Sequence, residues 1–382
     1  MDTYDVAIVG ARCAGAATAM LLAQAGIEVL VLDRAEFPSD TLSTHAIARG
    51  GVVQLARWGL LERVVESGAP PIRTVSFHFP EGELVKRLKS SGGVDHVIAP
   101  RRHVLDMILL DAAREAGASV RTGVAVTGML TDSQGRVAGV SVRARDGSTH
   151  PVHAGLVVGA DGVRSRIARS VKAATVDSRS VSGAIQYAYV AGLDAEGFEF
   201  HIGERSLAGV FPTHGDEANV WICTPHDRGA PLLDLLEQCA PSLAERVRTA
   251  LVVSPVRKAV GLPNQVLQAA GPGWALVGDA GYHRDPITGH GITDAFRDAE
   301  LLAEAIAATV LGDVPEHVAM AAYERERNRA LAEIFDVTCR LSQFPPVDQF
   351  VELQKSLSSL VDAEATWLAA RPPLRSVCTA AA

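Results

Sequence analysis

Three stretches of the chain set glycine beside a carboxylate. The first is Gly10-Ala11-Arg12-Cys13-Ala14-Gly15, followed further on by Asp33-Arg34. The second is Asp161-Gly162-Val163-Arg164. The third is Gly278-Asp279, which continues into Asp285-Pro286-Ile287-Thr288-Gly289-His290-Gly291. Glycine allows tight turns and close approach of the backbone to a ligand, and a carboxylate accepts hydrogen bonds from hydroxyls. Together they suit an extended ligand that carries phosphates and sugar hydroxyls.

The elements around the first stretch must position it. Residues 6–9 form a short apolar run with the length of a buried parallel strand. Residues 16–24 are rich in helix formers and close on Gly26, a C-cap. Residues 27–32 are a second apolar run that ends in Asp33. Strand, turn, helix, strand, acid is the unit that sets a dinucleotide pyrophosphate on a helix N-terminus and a ribose on a carboxylate. The spacing departs from G-x-G-x-x-G at Arg12. Its side chain must turn away or place its guanidinium on the ligand.

Two more apolar runs, 156–158 and 274–277, lead into the other two glycine–acid pairs. In an open α/β sheet, ligands bind beyond the carboxyl ends of the strands, so three such ends imply one long site. Residues 182–224 show no helical period and carry glycine at intervals, which predicts antiparallel strands. Helices are predicted over 46–61 (interrupted by Gly50-Gly51), 104–116, 231–251 and 292–311, and from 316 onward with a break at Phe344-Pro345-Pro346. The alanine-rich last residues are expected to fray. The fold class is therefore α/β. A discontinuous Rossmann-like domain takes 1–70, 98–180 and 270–330, an inserted antiparallel-sheet domain takes 71–97 and 181–269, and 331–382 form a C-terminal helical segment.

Composition narrows the partners. The 382 residues are 48% hydrophobic with a net charge of −8, which argues against a nucleic-acid partner. The five cysteines, Cys13, Cys223, Cys239, Cys339 and Cys378, contain no C-x-x-C pair and are expected to be buried thiols. No metal-ligand spacing is present. Without a signal segment or a long apolar run, a soluble cytoplasmic protein with a small-molecule substrate and no membrane partner is expected; the oligomeric state stays open.

In this order and at these separations, the three motifs resemble those of the FAD-dependent aromatic hydroxylases, the para-hydroxybenzoate hydroxylase-like group A flavoprotein monooxygenases. Geranylgeranyl reductases and flavin halogenases share that fold. The resemblance covers residues 1–330. It implies FAD as cofactor and NAD(P)H as co-substrate. Gly10, Ala14 and Gly15 would receive the pyrophosphate, Asp33 and Arg34 the adenosine, and Val126 would lie against the cofactor. Arg102, or its neighbour Arg101, would follow the ribityl and phosphate region, and Asp279 would bind a ribityl hydroxyl. Asp161, with Gly162 and Arg164, matches a motif tied to both FAD and nicotinamide use. Arg49-Gly50-Gly51 would sit beside the flavin. Pro286, Gly289, His290, Gly291 and Ile292 would face its pyrimidine ring.

Histidine titrates near neutral pH and suits proton relay. Among His45, His214, His283 and His290, His45 stands out because it lies one helical turn from Arg49. Catalytic roles are thus expected for His45, Arg49 and Pro286. Segments 72–90 and 183–224 would line a substrate pocket through Tyr187, Phe211 and Trp221, with Phe77, Phe79, Tyr189 and Phe200 near them. No tryptophan sits in a W-x-W-x-I-P segment, which demotes halogenation. The expected activity is hydroxylation of an aromatic or polyketide-like molecule with NAD(P)H and oxygen, in secondary metabolism or aromatic catabolism. The alternatives are an FAD-dependent reductase or dehydrogenase of an isoprenoid-like substrate, and a non-catalytic flavin binder.

Overall fold

In the computed structural model, the described residues are 3–79, 82–180, 183–226, 229–312 and 314–374. Cys378 and the alanine-rich end lie outside them.

Residues 6–9 and 29–32 carry only apolar side chains, so both faces can be covered. Strands Thr3–Val9 and Val29–Leu32 accordingly pair in parallel. Thr149–Gly159, Trp274–Leu276 and Ser119–Arg121 complete the parallel core, in the spatial order 119–121, 29–32, 3–9, 149–159, 274–276. Strand order reverses beside Thr3–Val9, which opens a crevice at its carboxyl end. One face of this sheet packs on helices Cys13–Gln24, Arg102–Glu115 and Gly291–Val310. The other face packs on residues of the antiparallel strands Ala125–Thr131 and Val137–Arg143.

The second sheet takes Thr74–Phe79 and Gly82–Arg87 together with six strands between residues 184 and 260. Its neighbours are antiparallel except Thr74–Phe79 against Phe198–Gly203. Helices Leu232–Cys239 and Pro241–Thr249 cover one face. Helices Glu316–Leu341 and Val347–Ala369 cover the other.

Several details depart from the expectations. The segment 231–251 is two helices, broken at Ala240 (φ −146°, ψ 72°). The boundary drawn at 331 falls inside one continuous helix, Glu316–Leu341. A third sheet, Thr175–Arg179 with Asn264–Leu267 and Tyr282–His283, ties segments assigned to different domains to one another. Cys13 and Cys223 are buried, whereas Cys239 and Cys339 are only partly so.

Candidate active site

The first turn is forced by backbone contact. Gly10 has φ +110°, and a Cβ there would lie 2.3 Å from the Ala160 carbonyl oxygen. A Cβ on Gly15 would lie 1.9 Å from the Gly10 oxygen. Strand ends 9 and 159 therefore meet only through glycine. Arg12 has ordinary extended backbone (φ −89°, ψ −166°), so its position does not demand glycine. Its guanidinium leaves the turn, donating to Asp106 Oδ2 at 2.7 Å and to Ser39. Asp33 accepts from the amides of Ala11 and Ala35, each at 2.8 Å, and so braces the turn.

These elements frame a groove of about 1100 Å³. Of the residues expected at a cofactor, Gly10, Ala14, Asp33, Arg34, Arg102, Val126, Asp161, Asp279, Pro286, Gly289, His290, Gly291 and Ile292 line it. Asp161 also caps the short helix after it, accepting from Ser165 Oγ at 2.5 Å and Arg166 N at 2.6 Å. Asp279 is exposed to the groove yet walled in by protein. That enclosure raises its carboxyl pKa and Asp294 adds to the rise, while His283, Arg102 and Arg284 oppose it.

The loop after Asp279 is fixed by its own polar groups. Asp285 Oδ1 accepts from Ile287 N at 2.8 Å, Asn264 Oδ1 accepts from Asp285 N at 2.6 Å, and Gly289 turns with φ +64°. Arg284, buried and on the groove wall, pairs with Asp294 at 2.7 Å. Asp294 continues through Arg297 (2.7 Å) to Glu364 (3.0 Å) on the last helix. Burial would raise Asp294, but Arg284 and Arg297 hold its carboxyl below the usual range. Two long helices, Cys13–Gln24 and Gly291–Val310, begin at this groove, and neither is capped by a side-chain hydrogen bond. Cβ atoms added to Gly162 and Gly291 would meet nothing within 4 Å. Free helix N–H groups at two points, a carboxylate at the end of the second strand and open glycine edges fit a dinucleotide with an electron-rich ring.

Some expected residues lie elsewhere. Gly15 packs inside the turn and does not line the groove. Arg49 opens a helix, Arg49–Arg57, whose residues do not line the groove; its guanidinium pairs with Asp362 and donates to Lys89 O. Gly50 and Gly51 serve packing rather than a flavin: added Cβ atoms would lie 3.0 Å from Leu368 and 2.6 Å from Ile47. Tyr187 lines the groove, but Phe211 and Trp221 do not. They pack tilted at 45° with ring centres 5.2 Å apart inside the core between the second sheet and the C-terminal helices, against which Phe77 and Phe200 stack at 5.3 Å.

The histidines divide. His214 accepts from Arg101 N at 3.1 Å and lies outside the groove; burial, then His103 and Arg101, lower its pKa to about 4. His283 lines the groove and donates to Pro263 O at 2.7 Å. His290 donates from Nδ1 to Thr288 O at 2.8 Å, and burial lowers its pKa to about 4. His45 lines the groove from a turn that precedes the helix, so it does not share a helical face with Arg49.

Sequence reasoning missed Arg143, Arg166, Arg169, Leu262 and Arg284, which also line the groove. The basic run 164–169 after Asp161-Gly162 was the available signal for two of them. A cluster of His78, Glu199 and His201 forms across adjacent strands of the second sheet. The imidazoles stack at 4.2 Å and 8°, and the candidate ligand atoms of the three residues lie within 4.8 Å of one another, but Arg246 already holds the Glu199 carboxylate at 2.7 and 3.0 Å. Among the described residues, no helix is long and apolar enough to cross a membrane.

The family model described as FAD binding domain matches residues 3–338. A digeranylgeranylglycerophospholipid reductase of Methanocella arvoryzae is 26% identical, covering 89% of this chain and 86% of its own. Digeranylgeranylglycerophospholipid reductase 2 of Methanothermobacter thermautotrophicus is 30% identical, covering 80% of this chain and 78% of its own. Among solved structures, a probable FAD-dependent monooxygenase from Pseudomonas aeruginosa superposes with a TM-score of 0.78 at 21% identity, covering 93% of this chain and all of its own. The myxobacterial chondrochloren halogenase superposes at 0.80 with 21% identity, covering 97% and 96%. At such identities the structural likeness speaks for the fold alone.

Proposed function

The chain belongs to the FAD binding domain family, and from that premise we propose an FAD-dependent monooxygenase that hydroxylates an aromatic or polyketide-like small molecule with NAD(P)H and oxygen. FAD, when bound, would supply the electron transfer and the oxygen chemistry. The protein's part is to bind, orient and exclude water. One observation carries the reading. The uncapped start of helix Gly291–Val310 shares a single groove with the polar side chains of His45 and Tyr187. A helix N-terminus favours negative charge at its end. His45 and Tyr187 offer hydrogen bonds to an oxygen-bearing substrate while each is only 1% exposed.

The reductant reading rests on the groove's basic residues. Arg34, Arg143, Arg164, Arg166 and Arg169 are exposed, line the groove, and pair with no carboxylate among the described residues. Arg166 and Arg169 also border an adjoining cleft of about 230 Å³ that holds no acid. Unpaired guanidinium groups at a nucleotide groove favour a phosphate-bearing reductant, NADPH over NADH.

A second reading, reduction of an isoprenoid-like substrate, is favoured by the names of the relatives above. The two separate in one experiment, with NADPH, isotopically labelled oxygen, a panel of phenols and a geranylgeranyl compound. Label in a hydroxylated product is the expected result. Saturation of a double bond without oxygen uptake would overturn the hydroxylation reading in favour of the second.

A further inference from the structure

Away from the groove, two strands of the second sheet gather side chains of metal-ligating type. Thr74–Phe79 and Phe198–Gly203 pair in parallel, with His201 opposite His78 and Glu199 opposite Ser76. Successive side chains of a strand point to opposite faces. Phe77, Phe198, Phe200 and Ile202 pack in the core under the C-terminal helices. Ser76, His78, Glu199 and His201 therefore share the other face, and none of them lines the groove. No spacing along the chain announces this cluster, because its two strands come from separate segments.

Both imidazoles reach back along their strands toward one cross-strand pair. His201 Nε2 lies 3.3 Å from Glu199 Oε2, and His78 Nε2 lies 3.1 Å from Ser76 Oγ. One donor atom from each of His78, Glu199 and His201 falls within 4.8 Å of the other two. Two ligands of a tetrahedral zinc stand about 3.3 Å apart, so His201 and Glu199 already have that separation. Both are buried, whereas the His78 side chain is 30% exposed and leaves a way in. Glu83, opposite His78 on the edge strand, stands 3.8 Å from its Nε2. One cation already uses the carboxylate. Arg246, from helix Pro241–Thr249, donates to Glu199 Oε2 at 2.7 Å and Oε1 at 3.0 Å, and to Asp194 O. Its side chain is 33% exposed, so it can turn into water when a stronger cation takes its place.

We propose that His78, Glu199 and His201 form a site for a divalent transition-metal ion of the zinc type, with Glu83 or water completing the coordination and Arg246 competing for Glu199. The donor set selects the ion. Two imidazole nitrogens and one carboxylate suit zinc, whereas magnesium and calcium take oxygen ligands. The position gives the ion a mechanical task. Among the described residues, strands Thr74–Phe79 and Gly82–Arg87 join the second sheet only through Phe198–Gly203. An ion held by His78 on one strand and by Glu199 and His201 on the other clamps this edge hairpin to the sheet. The site stands apart from the groove and does not depend on the flavin reading.

The test uses untagged full-length protein, stripped of metal with EDTA and then titrated with zinc chloride by equilibrium dialysis and thermal unfolding. Magnesium chloride and calcium chloride serve as controls. The expected result is a single zinc held per chain and a Tm that rises with zinc but not with magnesium or calcium. His78→Ala removes a partly exposed ligand and should weaken zinc at least about tenfold. Arg246→Ala removes the competitor and should tighten zinc by about fivefold, the upper end for a partly exposed ion pair. A purely structural ion-pair network predicts no such gain. Wild type that retains no zinc overturns the site. So does equal zinc affinity in wild type and His78→Ala, or a Tm that answers equally to magnesium. Should His78→Ala lose its fold, Arg246→Ala decides alone: tighter zinc supports the site and unchanged affinity overturns it.

Discussion

The guanidinium of Arg12 donates to the carboxylate of Asp106 at 2.7 Å across 94 positions of chain. Asp106 is fully buried and also receives Arg102 at 3.0 Å and the Cys13 thiol at 3.3 Å. One carboxylate thus joins the nucleotide turn to the helix Arg102–Glu115. Asp106→Ala leaves the buried Arg102 cation uncompensated and should cost about 3–5 kcal/mol. Arg12→Ala should cost about 1 kcal/mol, because that side chain is 25% exposed. Urea unfolding of both variants checks the ordering; equal losses would deny Asp106 its central place.

Asp279 gives the most direct test of the cofactor assignment. It follows Gly278, whose φ of +58° turns the chain as the last parallel strand ends, and its carboxyl faces the groove. Asp279→Ala removes an acceptor suited to a ribityl hydroxyl and should weaken FAD binding by about 1–3 kcal/mol. Flavin fluorescence titration reads the change. An unchanged dissociation constant would remove this residue from the cofactor site.

Both residues show what the sequence could and could not disclose. Gly10, Asp33, Asp161 and Asp279 were legible because each ends or follows a continuous apolar run, and a buried parallel strand declares itself locally. The destination of Arg12 was not, since Asp106 becomes its partner only through packing. Arg49 failed for the same reason: its partner, Asp362, belongs to the helix Val347–Ala369. The adjacent glycines at 50 and 51 did signal close approach, but of Leu368 and Thr293 rather than of a ligand. Phe211 and Trp221, expected to line a substrate pocket, lie in the core instead. Alternation cannot say whether an inward face meets a ligand or, as here, two C-terminal helices.

His290 predicts a pH dependence of stability. Burial, reinforced by Arg284, lowers its pKa to about 4, whereas an unfolded histidine titrates near 6.5. Between those values the unfolded chain binds a proton that the folded chain refuses. Its contribution is therefore intact above pH 6.5 and is lost as the pH falls toward 4, by up to about 3 kcal/mol. His214 shifts in the same direction, so the comparison of wild type with His290→Gln isolates one site. Unfolding free energies at about pH 7 and about pH 5 should converge more closely in the variant than in wild type. Identical pH slopes would show that His290 takes up its proton in the native state.

Arg166 and Arg169 test the reductant reading without touching the flavin turn. The chain carries a net charge of −8, yet five exposed arginines line one groove and pair with no carboxylate among the described residues. Arg166 and Arg169 flank the adjoining cleft, where a phosphate would find two guanidinium groups and no acid. The double substitution Arg166→Ala, Arg169→Ala should raise KM for NADPH by about tenfold, and KM for NADH by less than about twofold. The value of kcat at saturation should hold, because the lost contacts act in the ground state and the transition state alike. Salt should weaken NADPH use in wild type more than in the variant, since exposed ion pairs are screened. A KM for NADPH that does not move would assign these arginines to solubility alone, and a fall in kcat at constant KM would place them at the reaction instead of at the rim.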